Sequence, residues 1–242
     1  MYFKTVFVFF ILIIWGCSPG KKIMQSPKIL VFAATKGFRH KSIADGKTAL
    51  LKMGLEKNWN VDTTEDATLF THTNLKQYGV VVFLNTTGNI LNDEQQTAFE
   101  KYIQAGGGFV GIHAAADTEY EWPWYNGLAG AYFESHPEPQ TALYTVVNKK
   151  HPAVNFMPDT LRRPEEIYNF KSFKNELVNV LITVDEKSYT GGKMGDYHPI
   201  AWYHNYDGGR AFYTEWGHNP EAFTERLFLD HIAGAIKWAM GK

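Results

Sequence analysis

The stretch Gly106-Gly107-Gly108-Phe109-Val110-Gly111-Ile112-His113-Ala114-Ala115-Ala116-Asp117 decides the fold. Its three glycines stop the helix before them, and Phe109 to Ile112 is a short, unbroken apolar run, which a strand buried on both faces requires. Two runs of the same kind lie upstream, Ile29-Leu30-Val31-Phe32-Ala33 and Val80-Val81-Val82-Phe83-Leu84. Amphipathic stretches separate them. One runs from Ser42 to Lys57; the next opens on an Asn92 cap with Gln95 three residues on and carries Phe99, Tyr102 and Ile103 to the glycines. Strand, helix, strand, helix predicts an α/β domain with a mainly parallel, doubly wound sheet. Downstream, Ile200–Tyr203 and Arg210–Thr214 flank Asp207-Gly208-Gly209, a turn signal that adds a late antiparallel hairpin. A last helix is expected to open with Asn219 as cap and Pro220 at its first position, and to run through Phe223, Phe228, Ile232 and Ile236 to Gly241.

The chain has 242 residues, 45% of them apolar, which suits one sizeable core and excludes a disordered or fibrous polymer. Lys and Arg number 24 against 25 Asp and Glu, so no broad basic field exists to attract nucleic acid. Cys17 is the only cysteine, which excludes a disulfide framework, a thiolate metal site and a thiol nucleophile in the folded part. Residues 1–16 read as a signal peptide, with Lys4 followed by an apolar run from Val6 to Trp15 that is too short to span a bilayer. The run stops at Gly16-Cys17-Ser18, which resembles a bacterial lipobox. Cleavage there would leave Cys17 lipidated and the protein exported and membrane-anchored. Residues 17–26 form a polar tether, and a single domain occupies residues 27–242.

In a doubly wound sheet, ligands bind at the carboxyl ends of the strands. The loops there read Thr35-Lys36-Gly37-Phe38-Arg39-His40, Asn85-Thr86-Thr87-Gly88-Asn89 and His113-Ala114-Ala115-Ala116-Asp117. Gly111-Ile112-His113-Ala114-Ala115 has the small neighbours of a nucleophile elbow, with histidine in the nucleophile's place. The positive end of a following helix would help keep that ring neutral.

Several ordered motifs resemble the ThuA-like (trehalose utilisation) family: the first and third loops, Tyr125-Asn126-Gly127 through Ser135-His136-Pro137, His151-Pro152, Glu165-Glu166-Ile167-Tyr168, His198-Pro199-Ile200-Ala201-Trp202, and Gly209-Arg210 through Trp216-Gly217-His218. Together they cover nearly all of Lys28 to Met240. The resemblance implies a flavodoxin-like fold of the class I glutamine amidotransferase type and a role in the use of trehalose or related disaccharides. His113 stands where an amidotransferase carries its cysteine, so glutamine hydrolysis through a thioester is excluded. The family usually has Asp-Glu where Glu165-Glu166 stands here.

Nine histidines are present, and His40, His113, His136, His198, His204 and His218 are expected at one sheet edge, with His72, His151 and His231 as surface or packing residues. If Glu166-Ile167-Tyr168 is extended, Glu166 and Tyr168 share a face. The expected enzyme acts on a disaccharide or oxidised sugar: His113 or His218 abstracts a proton next to a carbonyl, Glu166 donates one, and Arg39 with His40 polarises the carbonyl. Asp117 is a further candidate acid or base. Phe38, Asn85, Asp117, Trp122 and Trp202 are the candidate substrate contacts, Trp122 as a sugar platform in a loop. Should the site hold a divalent metal such as zinc, His113, His136 and His218 are the ligands to test. A homo-oligomer is compatible with the sequence. The alternative is a lipid-tethered carbohydrate-binding protein without catalysis, which needs the same aromatics but no titrating base.

Overall fold

The computed structural model describes residues 1–2 and 26–241; the signal peptide, Cys17 and most of the tether lie outside the described residues. In chain order the elements are β1 (Lys28–Phe32), α1 (Ile43–Lys57), β2 (Asn60–Thr64), α2 (His72–Leu75), β3 (Val80–Leu84), α3 (Asp93–Gln104), β4 (Gly108–Ile112) and α4 (Pro123–Ala129). They continue as β5 (Tyr132–Ser135), β6 (Gln140–Val146), β7 (Thr160–Glu165), β8 (Asn169–Lys171), β9 (Asn179–Val184), β10 (Pro199–Tyr206), β11 (Gly209–Thr214) and α5 (Arg226–Ala239). The three apolar runs are β1, β3 and β4, and they lie side by side.

One nine-stranded sheet has the order β2-β1-β3-β4-β11-β10-β9-β6-β7. Every pair from β2 to β11 is parallel, and every pair from β11 to β7 is antiparallel. With β11 as fifth strand, the parallel half has the 2-1-3-4-5 order of a flavodoxin-like sheet. The expected hairpin is β10–β11, turned by Asp207 and Gly208 with φ of 47° and 93°. That double left-handed turn matches the twist of the strands it joins. The antiparallel part is larger than one hairpin, because β9, β6 and β7 extend it. A separate ribbon pairs β5 with β8.

Alternation within the strands sends side chains into two cores. Ile29, Val31, Val80, Val82, Val110 and Ile112 face α1 and α5, where Leu50, Met53, Phe228, Ile232 and Ile236 are buried. Leu30, Phe32, Val81, Phe83 and Phe109 face α3 and α4, where Phe99, Tyr102, Ile103, Tyr125 and Leu128 are buried. Burial on both faces leaves no position for a polar residue in β3, β4 or β1 beyond its first residue, Lys28. The α3 capping box forms as read: Asn92 Oδ1 accepts from the Gln95 N–H at 3.0 Å, and Gln95 Oε1 accepts from the Asn92 N–H at 2.9 Å, which stabilises the helix by about 1 kcal/mol.

The last helix is not continuous. Asn219 and Pro220 open a 3-10 turn over Pro220–Thr224, Glu225 is extended, and α5 begins at Arg226. The break lets Phe223 enter the core while Glu225 reaches Arg163 at 3.2 Å. Glu166-Ile167-Tyr168 likewise lies between β7 and β8 instead of within a strand.

Candidate active site

His113 directly follows β4 with a φ of 49°, a left-handed conformation that is costly for a residue with a Cβ. Gly111 allows the close turn, since a Cβ there would lie 3.1 Å from both the Ala115 Cβ and the Tyr213 ring. The His113 side chain is fully buried, and its Nδ1–H donates to the Glu215 carbonyl at 2.6 Å. A carbonyl can only accept, so the proton sits on Nδ1 and the Nε2 lone pair is free.

Nε2 faces three groups. The Tyr168 hydroxyl donates to it at 2.9 Å, while Glu166 Oε2 and His218 Nδ1 each lie 3.3 Å away. His218 Nδ1 is 3.2 Å from the same Glu166 oxygen, and His40 Nε2 is 3.9 Å from it. The His40 ring stands perpendicular to those of His113 and His218, at centroid distances of 4.8 and 5.3 Å. Donor atoms of His40, His113, Glu166 and His218 all fall within 4.8 Å of one another. Glu166 turns its other oxygen, Oε1, to His136 Nδ1 at 3.3 Å.

These residues come from both halves of the sheet. The loop after β1 carries His40, the ends of β4 and β11 carry His113 and His218, and the segment between β7 and β8 carries Glu166 and Tyr168. Asn85, also left-handed at φ 51°, holds two of these loops: its amide nitrogen donates to Ser42 Oγ at 2.8 Å and to the Gly217 carbonyl at 3.2 Å. Gly217 has a φ of 117°, and a Cβ there would lie 2.9 Å from Ile112 Cγ2. Thr87 Oγ1 fastens the His40 loop by donating to the Phe38 carbonyl at 2.9 Å.

Burial is the main reason that His113 titrates low, at about 4, so its ring is neutral at pH 7. The expected cause, a helix amino terminus, is replaced by burial, because His113 opens only a four-residue 3-10 turn. Burial opposes the charge of Glu166, but the three surrounding imidazoles outweigh it and hold the carboxyl well below the usual range. Burial likewise works against His218, yet its hydrogen bond to Glu166 raises its pKa. An ionised Glu166 has no proton to give at neutral pH and only accepts hydrogen bonds, which removes the donor role expected for it. Asp117 is pushed up by burial, in part offset by the Tyr120 hydroxyl that donates to it at 2.6 Å and by the charge of His40.

Several other candidates are placed elsewhere. Arg39 is held in a bidentate pair by Glu65, both bonds 2.9 Å, and makes no hydrogen bond to the histidine group. Trp202 is fully buried with its indole N–H on the Ala129 carbonyl at 2.8 Å, so it belongs to the core. Trp122 is 8% exposed and stacks on Trp124 and Tyr125 with its N–H on Glu100; it is a packing residue, not a loop platform. Asn85 is fully buried and fastens loops. His136 is at the mouth and stands outside the four-donor group. His198 and His204 are buried against Glu186 and the Gly127 carbonyl. His231 and His151 pack in the interior, and His72 is exposed.

Phe38, 66% exposed, lies edge-on to the His40 ring at 4.9 Å. Together with His136 and the partly exposed His218, it marks the open side of the group. A groove of about 430 Å³ beside α1 and α5, lined by Asp45, Lys52, Glu56, Arg226 and Asp230, contains none of these residues. Tyr168, not among the expected catalytic or binding residues, also belongs to the site. Its spacing from Glu166 was the available signal.

The family model for ThuA, trehalose utilisation, matches residues 28–239. Among solved structures, a ThuA-like protein from Bacteroides uniformis is 27% identical, with a TM-score of 0.76 over 92% of this chain and 95% of that one. One from Parabacteroides merdae is 22% identical, with a TM-score of 0.75 over 90% and 91%. A β-galactosidase from Bacillus circulans shares the fold over 89% of this chain and 31% of its own, at 11% identity and a TM-score of 0.59. No protein of curated function matches the chain.

Proposed function

The chain belongs to the ThuA, trehalose utilisation, family, and from that premise we propose that it is an enzyme that processes a disaccharide or a keto-sugar derived from one. Membership points to carbohydrate utilisation; the reaction class is inferred from the site. The carrying observation is the convergence of His40, His113, Glu166 and His218, far apart in sequence, on one partly open spot beside the Tyr168 hydroxyl. A protein that only binds sugar has little use for an ionised carboxylate wrapped in imidazoles, which is costly to assemble.

A carbonyl on a sugar ring makes the neighbouring C–H acidic. In the proposed reaction the sugar stacks on Phe38, its carbonyl oxygen turns to the partly exposed His218, and the imidazolium that Glu166 favours there donates to the oxygen and stabilises the enolate. Asp117, with its raised pKa, takes the proton from carbon; it replaces His113, whose buried ring has no route to a carbon atom. Enolisation then leads to isomerisation or to loss of the glycosidic substituent. By this reading the domain is exported and held at a membrane through Cys17, where it meets sugars before uptake. Among the described residues no helix is long and apolar enough to cross a membrane.

The test is incubation of the purified domain with 3-keto-trehalose and related keto-glycosides, with product analysis by mass spectrometry and NMR. Turnover that is lost in Asp117→Asn is expected. Absence of turnover across the panel, with sugar affinity equal in wild type and His113→Ala, would leave the non-catalytic binding protein instead.

A further inference from the structure

We infer that His113 Nε2, His218 Nδ1 and Glu166 Oε2, completed by His40 Nε2, form a binding site for one divalent transition-metal ion, on which a keto-sugar's carbonyl and adjacent hydroxyl oxygens chelate. The inference deepens the preceding reading and rests on it for the substrate, while the metal site itself stands on geometry.

The three separations are 3.3, 3.3 and 3.2 Å, a nearly equilateral triangle of donor atoms. An ion bonded to nitrogen and oxygen at about 2.0–2.1 Å in a tetrahedron needs its donors about 3.3 Å apart. The triangle therefore has the dimensions of one face of that coordination sphere, and His40 Nε2, 3.9 Å from Glu166 and within 4.8 Å of the other two donors, is the fourth donor that a small inward shift would bring onto the ion. Metal sites come with supports, and these are present. The Glu215 carbonyl fixes His113 with Nε2 unprotonated, as a ligand must be, and an ion bound there would take the place of the Tyr168 hydroxyl. Asn85 ties the residues next to His40 and His218 together. Glu166 binds through one oxygen and leaves the other toward His136.

Without an ion, His113 Nε2 accepts from the Tyr168 hydroxyl and stands opposed to a carboxylate oxygen at 3.3 Å, acceptor against acceptor. A cation between them turns that opposition into two bonds. Imidazole and carboxylate donors select zinc, iron, cobalt or manganese over calcium and magnesium. The exposed side, toward Phe38 and His136, is where two substrate oxygens would enter as fifth and sixth ligands. A ketone beside a hydroxyl offers two oxygens spaced for chelation; a simple glycoside lacks the carbonyl and gains less.

The experiment is metal analysis of the folded domain purified without chelator, followed by titration of the stripped protein with Zn2+ and Co2+. One ion per chain is expected, with the visible spectrum of tetrahedral Co2+. Glu166→Gln, nearly equal in size, should weaken affinity at least ~100-fold, and His218→Ala similarly, while His136→Ala keeps it. No stoichiometric ion in the wild type, or equal affinity in wild type, Glu166→Gln and His218→Ala, overturns the site. Circular dichroism of each variant separates lost ligation from lost folding, and the wild-type titration decides the matter even if a variant does not fold. A chain that binds no metal yet turns over a keto-glycoside ends this inference and leaves the preceding one standing. A chain that binds metal and turns over nothing does the opposite.

Discussion

The two halves of the sheet contribute different chemistry to the same spot. The parallel half brings imidazoles at its strand ends, His40, His113 and His218, whereas the antiparallel extension brings the acid and the phenol, Glu166 and Tyr168. A flavodoxin-like half alone would present three rings around nothing. The site is therefore completed by the added strands, with the segment between β7 and β8 placing Glu166 in the group.

The contribution of the antiparallel half is tested most severely by Glu166→Gln. Removing one charge at constant size should cut turnover of a keto-glycoside by about 10³, while the thermal midpoint moves by only a few degrees. Full activity in this variant would reduce the antiparallel half to a scaffold. Tyr168→Phe tests the same half more gently. Loss of the hydroxyl that donates to His113 should lower turnover by about 10-fold to 100-fold and stability by about 1 kcal/mol. Stopped assays on substrate and a denaturation curve report the two effects separately.

The same division explains what the sequence disclosed. Strands β1, β3 and β4 are legible because burial on both faces permits only apolar residues, so they stand out as unbroken runs. Strand β7 reads Thr160-Leu161-Arg162-Arg163-Pro164-Glu165, with two arginines and a proline that argue against any strand. It exists because it is the last strand of the sheet, where a proline's missing N–H costs nothing. Arg163 is buried there by Glu165 at 2.7 Å and the Trp216 ring at 4.5 Å, partners no local pattern could announce. His113 is legible for its small neighbours, and Glu166 for its place in the acidic pair. Their meeting is not, because it depends on how far β7 sits across the sheet. Composition also misplaced the aromatics: Trp122 and Trp202 carry polar tips that suit a sugar, but those tips are satisfied by Glu100 and a carbonyl inside the core.

A milder challenge targets the seam between the halves. His231 on α5 donates from Nδ1 to the Ala153 carbonyl at 2.8 Å and accepts at Nε2 from the Thr214 hydroxyl at 3.1 Å. Only the neutral ring can do both. Burial lowers its pKa from 6.5 to about 3, and that of nearby His151 to about 4. The unfolded chain therefore takes up these protons first as pH falls. Stability contributed by the neutral rings is complete above about pH 6.5 and declines as pH drops toward those values, by at most roughly 3 kcal/mol per ring at pH 4. Denaturant titrations from pH 7 to 4 should show that decline, and His231→Asn should flatten it while costing some stability at pH 7. An unchanged slope would mean that the seam opens to water before the ring titrates.

The smallest effect is expected where the parallel half's loop carries a charge that the site does not use. Arg39 lies between Phe38 and His40, close enough in sequence to suggest a hand on the substrate, but both arms of its guanidinium are taken by Glu65, which also pairs with Lys47. The Arg39 hydrogen bond is the largest of the effects that bring Glu65 down to about 2, but the pair is half open to solvent, where such bridges are worth less than about 1 kcal/mol. Arg39→Ala should therefore change stability by less than that and leave turnover within about twofold of wild type, whereas Phe38→Ala, one position away, should raise KM several-fold by removing the apolar platform. Michaelis–Menten measurements on the two variants side by side read the contrast directly. A larger loss at Arg39 than at Phe38 would mean that the guanidinium leaves Glu65 when substrate arrives, and would return to this loop a polarising role that its resting geometry gives to the histidine group.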